Sequence, residues 1–217
     1  QLLAPGTAVA VLEMPSINAR SVVVEGTTSG TMIAGPGHRR DTVLPGQQGV
    51  SIIMGRRAAF GGPFSDIGSL KVGDKITAVT GQGTSEYRVV AIRRAGDSYP
   101  APAQKGRLTL QTADGRAWVP SGLLEVDADL QTDAQPANSP VVTSAALSAS
   151  ELPMQGDPNA WIGLLLWSQL LLGVSLIVVY MWVRWGRWET WLIGLPIVFA
   201  VALATSSSAA QLLPNLL

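Results

Sequence analysis

The sequence predicts an all-β domain followed by an α-helical transmembrane hairpin, and three observations lead to this fold class. Apart from Arg184, Arg187 and Glu189, every charged residue lies before residue 158. Two long apolar runs occupy most of the chain after that point. The charged part instead shows short β-branched stretches separated by turns rich in glycine and proline. Such a pattern is typical of a small closed barrel or sandwich.

The predicted β domain covers residues 1–131, and residues 132–158 are predicted to be a linker. Turn pairs such as Pro36-Gly37 and Pro45-Gly46 separate the strands of the domain. The linker is rich in alanine, serine and proline and has few large apolar residues. The predicted strands are residues 7–12, 21–24, 50–54, 75–79, 86–92, 108–112 and 123–126.

Two helices are predicted to cross a membrane, over residues 159–184 and 191–213. The first contains an uncharged run over residues 161–183, which is long enough as a helix to span the roughly 30 Å hydrocarbon core of a bilayer. The second is less hydrophobic, and Pro196 is predicted to kink it. A re-entrant segment is the alternative for this second run.

The arginines around the predicted link at residues 185–190 determine the expected orientation. Arg184 and Arg187 place this link in the cytoplasm of a bacterium by the positive-inside rule. The β domain and the tail at residues 214–217 then both lie on the outer side of the plasma membrane. A translocated N-terminal domain needs a signal or an anchor, so we expect a further segment before Gln1.

Composition disfavours several classes of function. The chain carries 15 Lys and Arg against 15 Asp and Glu, no Cys and a single His. Because the net charge is zero, broad electrostatic capture of nucleic acid is not expected. The absence of Cys removes thiolate metal sites and cysteine nucleophiles, and a single His disfavours His-rich metal sites and most acid–base catalysis. We therefore expect no metal, no cofactor and no nucleic-acid partner.

The run that begins at Gly35 resembles a known family. It reads GPGHRRDTVLPGQQGVSIIMGRRAAFGGPFSDIGSLKVGDKI. The GPGH segment, the strand ending in Gly55-Arg56-Arg57, the Pro-Phe pair before a short helix and the Leu-x-x-Gly-Asp-x-Ile motif occur in the order and spacing found in bacterial sortases. The likeness is greatest to the actinobacterial class E and the related class D types. It covers about residues 6–130 and implies a sortase-like closed β-barrel.

The resemblance also implies where catalytic residues would stand. Sortases are extracytoplasmic transpeptidases in which a Cys attacks a sorting signal, a His transfers protons and an Arg stabilises the oxyanion. The resemblance places the Cys at Ala113, the His at Arg56 and the Arg at Arg116, which follows Ala113 more closely than the family's loop would allow. An alanine methyl has no nucleophilic lone pair, and a guanidinium has no acceptor for a proton. If Ala113 and Arg56 are native rather than engineered, the sequence predicts a pseudoenzyme with no catalytic residue.

Four further residues are candidates for a groove or contact surface. The resemblance places His38 beside the family's groove, although a lone His is more often structural. Arg39, Arg40 and Arg57, the last next to Arg56, mark either a contact surface or ordinary solvated surface.

Three functions remain open at this stage. The first is an accessory, structural or regulatory subunit of a larger cell-envelope membrane complex, with an integral membrane protein such as a transporter as its partner. The second is an extracytoplasmic module that binds an extended peptide in the vestigial groove, where Arg56 and Arg116 would hold a carboxylate. The third is a transpeptidase or hydrolase with a non-Cys nucleophile such as Ser51, Thr109 or Thr112, for which no base is evident.

Overall fold

A computed structural model describes residues 3–116, 118–137, 142–184 and 186–217, which divide into two compact units. The first unit extends to Gln155 and also includes the tail Pro214–Leu217. The second unit is Gly156–Leu213. The predicted linker therefore belongs mostly to the first unit, and the tail is part of the same unit as the β domain.

The described part of the first unit contains a closed barrel of eight strands. Their order around the barrel is β1-β2-β3-β4-β7-β8-β6-β5, and β5 pairs back to β1. Seven of the strands overlap the predicted ones, and the remaining strand, β3, has only two residues. The strands are β1 (Ala8–Met14), β2 (Ala19–Glu25), β3 (Gly37–His38), β4 (Gly49–Met54), β5 (Lys75–Thr80), β6 (Gly83–Arg94), β7 (Gly106–Arg116) and β8 (Val119–Leu130).

The barrel interior follows from alternation along the strands. In β1, Ala10, Leu12 and Met14 are buried while the residues between them are more exposed. Successive side chains of a strand point to opposite faces, so this alternation directs one face inward. Tyr87 of β6 is also buried, and its hydroxyl accepts a hydrogen bond of 2.6 Å from the backbone N–H of Gly46.

A polar cluster crosses three neighbouring strands of the barrel. The guanidinium of Arg93 on β6 contacts Asp127 at 2.5 Å and Glu125 at 2.7 Å, both on β8. Thr109 on β7 donates a hydrogen bond of 2.7 Å to the second oxygen of Asp127. Arg93 and Asp127 are both buried, so each compensates for the lost hydration of the other. The hydrogen bond that Arg93 donates to Asp127 raises the pKa of Arg93 above its ordinary value.

The parallel pairing of β4 with β7 fixes where the candidate site lies. Met54 at the end of β4 is aligned with Gln111 of β7, and the N–H of Gly55 donates to the carbonyl of Gln111 at 2.9 Å. The carboxyl ends of two parallel strands meet at the same edge of a sheet. Arg56 and Ala113 therefore lie at one end of this strand pair.

The second unit is a hairpin of two helices, α1 (Ala160–Arg184) and α2 (Arg187–Leu212). By length and composition, both contain a segment that is able to cross a membrane. Helix α2 begins at Arg187, four residues before Trp191, where the second span is predicted to start. Trp185, the first residue of the predicted link, lies outside the described residues. A barrel followed by two long apolar helices confirms the predicted fold class.

Close packing joins the two helices of the hairpin. A Cβ atom at Gly194 of α2 would lie 3.0 Å from the side chain of Val178 on α1. Glycine at this position therefore lets the two backbones approach closely, as small residues do between membrane helices. Pro196 lies within α2, as the sequence predicts.

Candidate functional site

Ala113 lies in an apolar cluster at the end of β7. Its side chain is fully buried together with those of Met32, Met54 and Leu216. Across the sheet it is aligned with Leu123 of β8. The methyl group at this position is therefore surrounded by apolar neighbours from four separate parts of the chain.

Arg56 is also fully buried. Its Nη2 atom donates to the carbonyl oxygen and to the hydroxyl of Ser29, both at 2.8 Å. The guanidinium carbon lies 4.9 Å from the ring centroid of Phe60, within the range of a cation–π contact. Nε and Nη1 have no hydrogen-bond partner among the described residues. Burial lowers the pKa of Arg56 from its ordinary value because the charged form loses hydration.

The backbone around Gly55 directs the chain after β4. A Cβ atom on Gly55 would overlap the ring of Phe64, so only glycine allows this ring to pack against the backbone. The N–H of Phe64 in turn donates to the carbonyl of Arg56 at 3.0 Å. These contacts hold the segment containing Arg56 against the end of the barrel.

Arg57, and not Arg116, contacts Ala113. The Nη1 atom of Arg57 donates a hydrogen bond of 2.9 Å to the carbonyl oxygen of Ala113. Arg116 is exposed at the end of β7, where it is aligned with Val119 of β8. The structure thus brings Arg56, Arg57 and Ala113 to one end of the β4–β7 pair.

His38 is held inside the protein by both ring nitrogens. Nδ1 lies 2.9 Å from a carboxylate oxygen of Glu25, and Nε2 lies 2.9 Å from the carbonyl oxygen of Val43. The side chain is buried. In this arrangement neither ring nitrogen is free to contact a substrate.

Arg39 and Arg40 are each paired with a carboxylate. Arg39 donates to both oxygens of Asp41 at 2.7 Å, a forked geometry that guanidinium groups favour. Arg40 forms an ion pair of 2.9 Å with Glu151, which is buried beside the barrel. The contacts of both arginines therefore lie within the β-domain unit.

The three alternative hydroxyl nucleophiles are buried. The hydroxyls of Ser51 and Thr112 have no hydrogen-bond partner among the described residues. Thr109 does contact a carboxylate, that of Asp127, but the same carboxylate pairs with Arg93.

A groove beside Ala113 contains the tail Pro214–Leu217. We use "the groove" for the surface formed by Thr27, Met32, Met54, Arg57–Ala59, Ala113 and Leu152. The backbone N–H of Arg57 donates to the carbonyl of Leu216 at 2.9 Å. The side-chain amide of Asn215 donates to the carbonyl oxygens of Thr27 and Leu152 at 2.8 and 2.9 Å. The sequence predicts only a tail at these residues, and the apolar pair Leu216-Leu217 after the helix is its one signal of burial.

Comparisons with known proteins locate the likeness in the β domain. Residues 12–118 match the family model of the sortase domain. Sortase D of Bacillus subtilis (strain 168) is 33% identical over 85 residues, which are 39% of this chain and 41% of that protein. The chain therefore spans about two fifths of the length of this relative.

Two solved structures share the fold over more than half of this chain. Sortase A from Corynebacterium diphtheriae is 28% identical with a TM-score of 0.51, and the match covers 59% of this chain and 62% of that one. Sortase E from Streptomyces avermitilis is 25% identical with a TM-score of 0.52, and the match covers 67% of this chain and 100% of that one.

Proposed function

We propose that this chain, whose residues 12–118 match the sortase domain, is a non-catalytic member of that family. We further propose that it acts as an accessory, structural or regulatory subunit of a larger cell-envelope membrane complex. The observation that carries this proposal is the position of Ala113. An alanine methyl, fully buried beneath Leu216, occupies the place where the resemblance puts the nucleophile.

Acyl transfer by covalent catalysis requires a nucleophile and a group that accepts its proton. Ala113 provides no lone pair, and the neighbouring Arg56 offers only donors. Arg56 is also fixed by Ser29 and by the ring of Phe60. The chemistry of these side chains therefore supports a domain that has lost the transpeptidase reaction.

Alternative nucleophiles do not restore this chemistry. Thr109 contacts Asp127, but this carboxylate is already paired with the buried guanidinium of Arg93. Ser51 and Thr112 are buried and contact no base among the described residues. We therefore assign no catalytic residue to the chain.

The two helices support a role in a membrane complex. A single helix is enough to anchor a domain, whereas this chain has two that are able to span. We propose that they insert in a bacterial plasma membrane with the link around Gly186 in the cytoplasm and the β domain outside. The second helix would then contact a polytopic partner, for which a transporter is one candidate.

Affinity purification tests the subunit role. The full chain is purified from its own membranes in mild detergent, and copurifying proteins are quantified by mass spectrometry. We expect a stoichiometric polytopic partner, and recovery of the chain alone or only with itself would contradict the proposal. The same preparation, incubated with sorting-signal peptides and an amine acceptor, is expected to release no product. Turnover by the wild-type chain would contradict the loss of catalysis.

A second candidate function is peptide binding, and one observation favours it. Three consecutive N–H groups, those of Arg57, Ala58 and Ala59, donate to carbonyl oxygens of a separate segment. Main-chain hydrogen bonds of this kind bind a peptide without any catalytic residue. The bound segment forms a turn and is not extended, because the N–H of Leu217 donates to the carbonyl of Pro214 at 3.1 Å.

A further inference from the structure

We infer that the groove is a binding site for a short peptide turn and that its resident ligand is the chain's own segment Pro214–Leu217. This inference goes beyond the proposed subunit role and does not depend on it. It deepens the second candidate function by naming the peptide that the groove accepts.

Three successive residues of the segment form main-chain hydrogen bonds with the rest of the β-domain unit. The carbonyl of Leu216 accepts from the N–H of Arg57 at 2.9 Å, and the carbonyl of Leu217 accepts from the N–H of Ala59 at 2.9 Å. The N–H of Asn215 donates to the carbonyl of Gln155 at 2.9 Å. Buried backbone groups require such partners, so these contacts position the segment whatever its side chains are.

The side chain of Asn215 adds selectivity. It is fully buried, and its amide nitrogen donates to the carbonyl oxygens of Thr27 and Leu152. An amide has two N–H donors, whereas an ionised carboxylate has none. Aspartate at this position would place a charge beside two carbonyl oxygens, so the groove selects asparagine over aspartate.

The side chain of Leu216 fills an apolar pocket. It is fully buried with Met32, Met54 and Ala113. Methionine side chains adapt to the shape of a ligand, and the small side chain at position 113 leaves room for a branched one. The ligand that the structure assigns is therefore a turn with the sequence Pro-Asn-Leu-Leu.

Covalent attachment makes the resident ligand a strong competitor. A tethered ligand has an effective concentration on the order of millimolar when its connection is short. A free peptide of the same sequence therefore competes at a disadvantage, and its apparent affinity falls with the fraction of groove that is open. The groove becomes available to another peptide only when the tail leaves it.

A peptide titration tests this inference. The probe is a fluorescein-labelled peptide, Leu-Leu-Pro-Asn-Leu-Leu, and its anisotropy is measured with the full chain in detergent. The variant Leu216→Asp places a charge in the apolar pocket and expels the segment. We expect it to bind the probe at least about tenfold more tightly than the wild type does.

Two matched controls accompany the titration. Val72→Asp adds the same charge at an exposed apolar residue of the β domain, and we expect it to bind like the wild type. A probe with Asp in place of Asn is expected to bind Leu216→Asp at least about tenfold more weakly. Equal binding of the probe by Leu216→Asp and the wild type would overturn the inference, provided that the N–H of Phe64 stays protected from exchange.

Amide exchange of the wild type gives an independent test that needs no variant. The N–H groups of Arg57 and Ala59 are expected to exchange slowly. The N–H of Phe64, which donates to the carbonyl of Arg56, is expected to exchange slowly as well. Rapid exchange at Arg57 and Ala59 with slow exchange at Phe64 would show an empty groove and overturn the inference. Neither result bears on copurification of a membrane partner, so failure of one proposal is distinguishable from failure of the other.

Discussion

Shortening Leu216 to alanine provides a quantitative measure of how firmly the tail is held. The leucine side chain is fully buried in the apolar cluster with Ala113. Leu216→Ala keeps the backbone of the segment, and therefore its hydrogen bonds to Arg57 and Ala59. The change thus isolates the apolar contribution to binding in the groove.

The expected loss of binding free energy in Leu216→Ala follows from the carbon atoms that are removed. Leucine has three more side-chain carbons than alanine, and each buried methylene contributes about 0.8 kcal/mol. We therefore expect the segment to be held less firmly by about 2 kcal/mol. Since about 1.4 kcal/mol corresponds to tenfold, the population with an open groove rises about thirtyfold.

Amide exchange of the full chain in detergent reports this population. When reclosing is fast, the exchange rate of a protected N–H is proportional to the open fraction. We expect the N–H of Arg57 to exchange about thirtyfold faster in Leu216→Ala, while that of Phe64 remains unchanged. The matched control is Val72→Ala, which shortens an exposed apolar residue outside the groove, and we expect it to leave the rate at Arg57 unchanged. An unchanged rate at Arg57 would refute the view that Leu216 holds the segment.

Two further predictions concern the barrel. Asp127→Ala leaves the buried Arg93 without its shortest partner, and we expect a loss of about 3 kcal/mol in the free energy of unfolding, measured by amide exchange in β7. Asp133→Ala, which removes a fully exposed carboxylate, should leave that exchange unchanged. Burial raises the pKa of Tyr87 to about 12 from an ordinary value of 10.0, so its phenol stays protonated to a higher pH in the folded form than in the unfolded form. The resulting stability is present below pH 10 and is lost as the pH rises toward 12, by up to about 2 to 3 kcal/mol. Phenolate absorbance should show that Tyr87→Phe removes the titration near pH 12 and that Tyr99→Phe, at an exposed position, does not.

The sequence predicted the barrel because its strands are short β-branched stretches separated by turns rich in glycine and proline. Strand β3 was missed because its two residues, Gly37 and His38, include no β-branched side chain. The resemblance to sortases, confirmed by the family match, also indicated that Arg56 and Ala113 belong to one site. The parallel register of β4 and β7 brings them to the same edge.

No pattern in the sequence predicted that the tail occupies the groove. Asn215 contacts Thr27 across 188 positions of the chain, and four residues after a helix carry no periodicity. Arg57 was among the candidate residues only as one of a pair of charges, whereas its contribution comes from its backbone N–H and from a hydrogen bond to Ala113. Backbone donors leave no trace in the sequence, because every residue except proline has one.

The proposed loss of catalysis and the occupied groove are linked by packing. Ala113 and Leu216 share one buried apolar cluster with Met32 and Met54. Ala113→Cys would add a sulfur atom to this closely packed space, and adding volume to a full core costs about 1 to 3 kcal/mol. A nucleophile at position 113 would therefore weaken the tail that covers it, and a firmly held tail would keep substrate from that nucleophile. An inert methyl is the side chain that allows Leu216 to remain, so alanine at this position favours a groove filled by the chain itself.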